Sequence, residues 1–119
     1  MFVNTDSKVI WKNGSFEKWE NASVHLLSHT MHYGTGVFEG VRAYKTNEGP
    51  AIFRLQDHTN RLFDAASKLS VEIPYSRDEL NKVQKDIFSM NNLEEGYFGT
   101  RPLLKTSCSG SSTRGLISW

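Results

Sequence analysis

The sequence has one cysteine in 119 residues, Cys108, so no internal disulfide can form, and the stapled framework of small secreted domains is excluded. It has no run of about 18 apolar residues, which excludes a transmembrane helix. It has almost no charge imbalance: fourteen Lys and Arg against thirteen Asp and Glu leave +1. A broad electrostatic footprint for nucleic acid is excluded with it. The first residues lack the basic-then-apolar layout of a secretory leader. The expectation is a cytoplasmic protein with neither membrane nor nucleic acid as partner, in which the Asn-x-Ser triplets at Asn13 and Asn21 carry no sugar. What is present is an ordinary globular balance, 38% hydrophobic and 23% charged, at a length suited to one small domain.

The first half reads as strands. Val9-Ile10-Trp11-Lys12 and Ser15-Phe16-Glu17-Lys18-Trp19 flank Asn13-Gly14, the pair that best tolerates the two positive φ angles of a tight hairpin turn. Val24-His25-Leu26-Leu27 predicts a short strand, and residues 29–36, polar and punctuated by glycine, a loop or short turn. Residues 36–44 alternate with a period of two. Phe38, Gly40, Arg42 and Tyr44 share one face, and Val37, Glu39, Val41 and Ala43 the other. A turn over residues 46–50 sends Ala51-Ile52-Phe53-Arg54 back alongside.

Two helices follow. Leu55, Leu62, Ala66 and Leu69, with Phe63 beside them, form a helical stripe that predicts a helix over residues 56–69, capped by Asp57. Ser76 and Glu79 spell a capping box, and Leu80, Val83, Ile87 and Met90 continue at helical spacing over residues 77–90. Asn91-Asn92 suits its end. Gly96 to Trp119 holds five serines and four glycines in 24 residues, shows no periodicity, and reads as a poorly ordered tail. Strands first and helices after give an α+β fold: an antiparallel sheet with two helices.

Few constellations carry chemistry by pattern alone. His25, His29 and His32 have metal-like spacing, but no Cys or carboxylate completes a ligand set, and the expectation is no metal. Gly34-x-Gly36 follows no buried parallel strand and reads as turn chemistry. Arg42 shares a strand face with Phe38 and a mid-strand glycine. It is either part of a floor that receives an acidic ligand or a solvated surface residue, and pattern does not decide. Arg61, one turn into a helix, opposes the macrodipole unless an anion partners it; pattern alone favours a solvated or salt-bridged side chain. Cys108 has no histidine near it in sequence.

One long block is more specific. Val24-His25-Leu26-Leu27-Ser28-His29, then Met31-His32-Tyr33-Gly34-Thr35-Gly36-Val37-Phe38-Glu39-Gly40-Val41-Arg42-Ala43-Tyr44, resembles the N-terminal domain of branched-chain-amino-acid aminotransferases, class IV, fold-type IV pyridoxal-phosphate enzymes. Trp11-x-Asn13-Gly14, Gly49-Pro50-x-x-Phe53-Arg54 and His58-x-x-Arg61-Leu62 fit in the same order. Tyr33-Gly34-Thr35-Gly36 stands where related D-amino-acid aminotransferases carry Phe-Gly-Asp-Gly, which favours the branched-chain members. The resemblance spans residues 9–93 and ends by residue 104.

The resemblance implies a fold and a set of roles. The fold is the family's small N-terminal domain, residues 1–95, with a divergent tail over residues 96–119 and the large C-terminal domain absent. Arg61 matches the arginine that binds the phosphate of pyridoxal 5'-phosphate. Phe38 matches a wall of the substrate side-chain pocket, Gly40 a backbone position beside the substrate, and Arg42 an arginine near its carboxylate. Tyr33 matches a tyrosine that reaches the partner subunit's pocket in the family homodimer. Tyr97 and Arg101 match, across two extra residues, a Tyr-Ile-Arg-Pro segment whose arginine helps bind the second carboxylate of glutamate or 2-oxoglutarate. The implied reaction moves the amino group of leucine, isoleucine or valine to 2-oxoglutarate. No lysine of this chain matches the one that forms the Schiff base. The expectation is an inactive fragment or, on the alternative reading, a relic or association module with no enzymatic role.

Overall fold

A computed structural model describes residues 9–104 and 114–118, with backbone alone for 101–104 and 114–118. Six strands form one sheet: β1 (Val9–Lys12), β2 (Ser15–Lys18), β3 (Glu39–Thr46), β4 (Gly49–Ile52), β5 (Gly96–Leu104) and β6 (Arg114–Ser118). Their order is β2-β1-β6-β5-β3-β4, and every neighbouring pair is antiparallel. Three α-helices accompany it: α1 (His29–Tyr33), α2 (Leu55–Lys68) and α3 (Arg77–Met90). A single 3-10 turn, Trp19–Asn21, follows β2.

The hairpin β1–β2 turns at Asn13 and Gly14, both at positive φ (53° and 96°), as their residue types require. In α3 the Ser76 hydroxyl accepts the Glu79 amide at 3.2 Å and the Glu79 carboxylate accepts the Ser76 amide at 2.7 Å, completing the capping box. Those bonds hold the Glu79 carboxyl below its ordinary value. The cap of α2 differs from the sequence expectation. The N-cap is Arg54, in the left-handed region (φ 49°, ψ 41°). Asp57 lies inside the first turn, where its carboxylate suits the helix dipole and bonds Arg54 Nε at 2.7 Å.

The helices cover one face of the sheet. Trp11, Leu62, Ala66, Val71, Ile73, Leu80 and Ile87 make one buried cluster, with Phe63 and Val83 packed at its margin. Val41, Ala43, Leu55, Phe88 and Phe98 make the second, directly under β3 and β5. Leu69 and Met90, which the stripe patterns place inward, end exposed because each stands where its helix terminates and the stripe turns off the core. Asn91 ties the layers together. Its side chain accepts the Val9 amide and donates to Val9 and Ile87 carbonyls, each at 2.9 Å, pinning β1 to the end of α3.

Three expectations are corrected. Val24-His25-Leu26-Leu27 is not a strand: His25 Nδ1 accepts the Leu27 amide at 3.0 Å and the His25 carbonyl accepts the Ser28 amide at 2.9 Å, so local bonding bends the chain. Residues 29–33 are a short helix rather than a loop. The boundary at residue 95 is not an edge of the sheet. β5 runs from Gly96 through the middle of it, pairing with β3 from Glu39↔Thr100 to Ala43↔Gly96, and β6 closes the gap to β1. Phe98 and Thr100 alternate inward there, a period that Gly99 and Pro102 disguise. Residues 105–113, Cys108 among them, and Trp119 lie outside the described residues.

Leu62 is 1% exposed at the centre of the first cluster. Leu62→Ala is expected to lower unfolding stability by about 2–5 kcal/mol, read from urea titrations; a loss under about 0.5 kcal/mol contradicts the core assignment. Asn91→Ala removes the hydrogen bonds to Val9 and Ile87 and is expected to cost about 1–3 kcal/mol, with hydrogen exchange accelerating first in β1.

Candidate functional site

Glu39 lies on the inward face of β3, between the helices and the sheet, in line with Val41 and Ala43. A carboxylate there is costly unless charged or hydrogen-bonding groups meet it. Helix α2 supplies them. His58 and Arg61, three residues apart, project from one side of α2 toward β3. His58 Nδ1 lies 2.8 Å from Glu39 Oε1. Arg61 donates from Nε to Oε2 at 2.6 Å and from Nη2 to Oε1 at 2.5 Å. Burial pushes the Glu39 carboxyl up, but the hydrogen bonds and charges of Arg61 and His58 outweigh it and hold it below the ordinary glutamate value.

The geometry of the pair decides what Arg61 offers. Guanidinium has five N–H donors on two usable edges. Glu39 takes the side edge, Nε with Nη2, and the Nη1–Nη2 edge is not used by it. The Glu39 side chain is 4% exposed and that of Arg61 is 70% exposed. The unused edge is a fork that matches two oxygens of a phosphate or carboxylate. The Glu39 bonds raise the Arg61 pKa above its ordinary value, and Tyr97 adds weakly to the same effect. The salt-bridged reading of Arg61 and the anion-binding reading are therefore compatible, because they use different edges.

Beside Arg61 the outward face of β3 and β5 carries the other candidates. Gly40 pairs with Gly99 across the strands, and Arg42 with Tyr97. The Tyr97 ring lies over Gly40, and the Phe38 ring over Gly99. Arg42 sits 5.2 Å from the centroid of the Tyr44 ring, and Tyr44 meets Phe53 edge-on. Phe38, Tyr44, Phe53 and Tyr97 are all substantially exposed. The structure thus brings Phe38, Gly40, Arg42 and Tyr97 onto one face, with Tyr97 near enough to Arg61 to act on its charge.

Tyr33 ends α1, which lies near β5, its ring 4.7 Å from that of His29 and largely exposed. Val24, Leu26, Leu27 and Met31, close to it in sequence, are exposed as well. Of Arg101 the backbone alone is described, in β5 opposite Ile117. Glu39, His58 and Gly99 are absent from the sequence-based site. Glu39 carried a signal: a carboxylate in phase with Val37, Val41 and Ala43 on a strand's apolar face demands a cation, and His58-x-x-Arg61 is spaced to supply one.

Glu39 has a pH consequence. Its folded-state pKa is depressed, so its stabilising contribution is present above the unfolded value of about 4.3 and is lost as pH falls through the lower folded value. Glu39→Gln is expected to flatten this acid limb of the stability profile, measured as urea midpoints between neutral pH and pH of about 3. An unchanged limb contradicts the pairing.

Comparison with known proteins gives the same region a context. Residues 36–115 match the family described as amino-transferase class IV, so the likeness runs past the limit of 93–104 expected from sequence. The chain is 51% identical over 106 residues to a branched-chain-amino-acid aminotransferase of Pseudomonas aeruginosa, covering 89% of this chain and 34% of that protein. It resembles the crystal structure of the Escherichia coli branched-chain amino acid aminotransferase with a TM-score of 0.88 and 35% identity, over 94% of this chain and 38% of that one. The T.th. branched-chain amino acid aminotransferase, in complex with N-(5'-phosphopyridoxyl)-L-glutamate, matches at a TM-score of 0.80 and 36% identity, over 95% of this chain and 40% of that one. The same T.th. enzyme has been solved with 4-methylvaleric acid. The chain thus spans about a third of the length of the curated relative it matches. With its fold and most of its sequence accounted for in this way, the chain belongs to the class IV aminotransferase family, as the N-terminal part of the branched-chain, fold-type IV architecture.

Proposed function

We propose that this chain supplies the phosphate contact and one wall of the substrate pocket in a branched-chain-amino-acid transaminase that moves the amino group of leucine, isoleucine or valine to 2-oxoglutarate in the cytoplasm. The observation that carries the reading is the Nη1–Nη2 fork of Arg61, left unused by the Glu39 carboxylate that holds the other edge. It suits the phosphate of pyridoxal 5'-phosphate, whose ring supplies the electron sink for amino transfer. Phe38 and Tyr97 present aromatic surface for a branched aliphatic side chain. Gly40 keeps the strand low beneath Tyr97, Arg42 brings positive charge toward a substrate carboxylate, and the family resemblance assigns the second carboxylate to Arg101. Tyr33, exposed like Val24, Leu26, Leu27 and Met31, reaches the partner subunit of a homodimer.

The residues fit the phosphate but not a covalent anchor. Among the described residues no lysine is buried. Lys45 is hydrogen-bonded to Glu94 and held above its ordinary pKa, which makes its amine a poorer nucleophile. A single contact from an exposed arginine holds a phosphate only weakly, short of what retaining the cofactor requires. Pyridoxal 5'-phosphate added to the 119-residue chain is therefore expected to give slow, nonspecific lysine modification and no transfer from leucine to 2-oxoglutarate, by absorbance and coupled assay. Transfer above the cofactor-only background, lost on Arg61→Ala, would show a complete site and overturn this division of labour.

A further inference from the structure

Gly40 and Gly99 oppose each other directly in the middle of the sheet. Such a pair leaves bare backbone and weakens a strand unless something approaches closely. Neither residue adopts a positive φ, so the backbone would accept any L-residue there. Only space excludes a side chain. A Cβ on Gly99 would stand 2.7 Å from Phe38 Cε2, and one on Gly40 would stand 2.7 Å from Tyr97 Cζ. The two rings thus cross diagonally, Phe38 from just before β3 onto β5 and Tyr97 from β5 onto β3.

The consequence is uneven. Gly99 is buried although it lies on the outward side of β5, because the Phe38 ring covers it. Phe38 itself remains 48% exposed, with one side against the glycine and the other outward. We infer that Gly99 is the positioning residue that seats Phe38, setting the depth of the apolar wall offered to a branched aliphatic side chain. This rests on the reading of Phe38 as a pocket wall. A methyl group at position 99 cannot coexist with the ring as placed. The ring must lift away from β5 by rotating about χ1 or χ2, into the space where a ligand's side chain would lie.

The test uses nuclear magnetic resonance on the full 119-residue chain, with 4-methylvaleric acid as the probe. In the unmodified chain the Gly99 Hα protons are expected upfield, shifted by the Phe38 ring current, with cross-relaxation between that ring and β5. Phe38→Leu abolishes the shift. Gly99→Ala abolishes the cross-relaxation and weakens binding of the acid about tenfold, the scale of a misfitted methyl group in an apolar pocket. Because Gly99→Ala strains the folded state, the Phe38→Ala/Gly99→Ala double variant serves as control: with the ring gone, the thermal destabilisation by Gly99→Ala largely disappears, a non-additivity that separate effects would not produce. If no form binds the acid but the ring moves as stated, the pocket reading fails and the seating of Phe38 by Gly99 stands. If the ring keeps its contacts in Gly99→Ala, or the two destabilisations simply add, the inference is overturned. If the ring moves and affinity does not, Gly99 seats the ring without setting the pocket's depth, and that part of the inference is overturned.

Discussion

A carboxylate on the inward face of a β-strand organises this domain. Glu39 stands in line with Val41 and Ala43, where an unpaired charge would destabilise the fold severely. The fold meets that demand from α2, whose His58 and Arg61 close on the two carboxylate oxygens. The constraint fixes how α2 docks on β3. It also determines which edge of the Arg61 guanidinium Glu39 takes and which it leaves unused. Removing Arg61 would leave the buried Glu39 carboxylate short of its main cation, whereas an exposed ion pair such as Lys82 with Asp86 contributes little. Under the proposed reading, structural need and ligand contact are served by one arginine without competing.

The sheet divides labour between its faces. Inward, Val41, Ala43, Phe98, Leu55 and Phe88 pack as a conventional core. Outward, the same two strands carry opposed glycines, two crossed aromatic rings and an arginine stacked near Tyr44. An outward face built this way gains little packing energy of its own. Under the proposed reading it serves as an aromatic wall of the substrate pocket. Phe38, Tyr97 and Tyr44 are all substantially exposed on this face.

Much of this was legible in the sequence where the determinants are local. Asn13-Gly14 specified the first hairpin, Ser76 with Glu79 specified the start of α3, and the alternation from Val37 to Ala43 separated the faces of β3 correctly. The candidate site residues came from resemblance: pattern alone left Arg42 undecided and favoured a solvated or salt-bridged Arg61. What local pattern missed depends on contacts between distant segments. The partners of Glu39 lie 19 and 22 residues away. The strand character of β5 emerges only against β3, because its own glycine and proline argue against it. The left-handed cap at Arg54 follows from the geometry needed to pass from β4 into α2, not from any capping residue. The 24–27 segment looked like a strand by composition, yet His25 bonds its own neighbours instead.

Everything proposed for Arg61 depends on Glu39 holding one edge of the guanidinium while the other stays free for a phosphate. The most direct measurement is a crystal structure of the 119-residue chain soaked in inorganic phosphate at a concentration high enough to fill a weak single-arginine site. Phosphate oxygens are expected on Arg61 Nη1 and Nη2, with the Nε and Nη2 bonds to Glu39 intact. A phosphate that draws Arg61 away from Glu39, or that binds elsewhere on the chain and leaves the fork untouched, would contradict this arrangement.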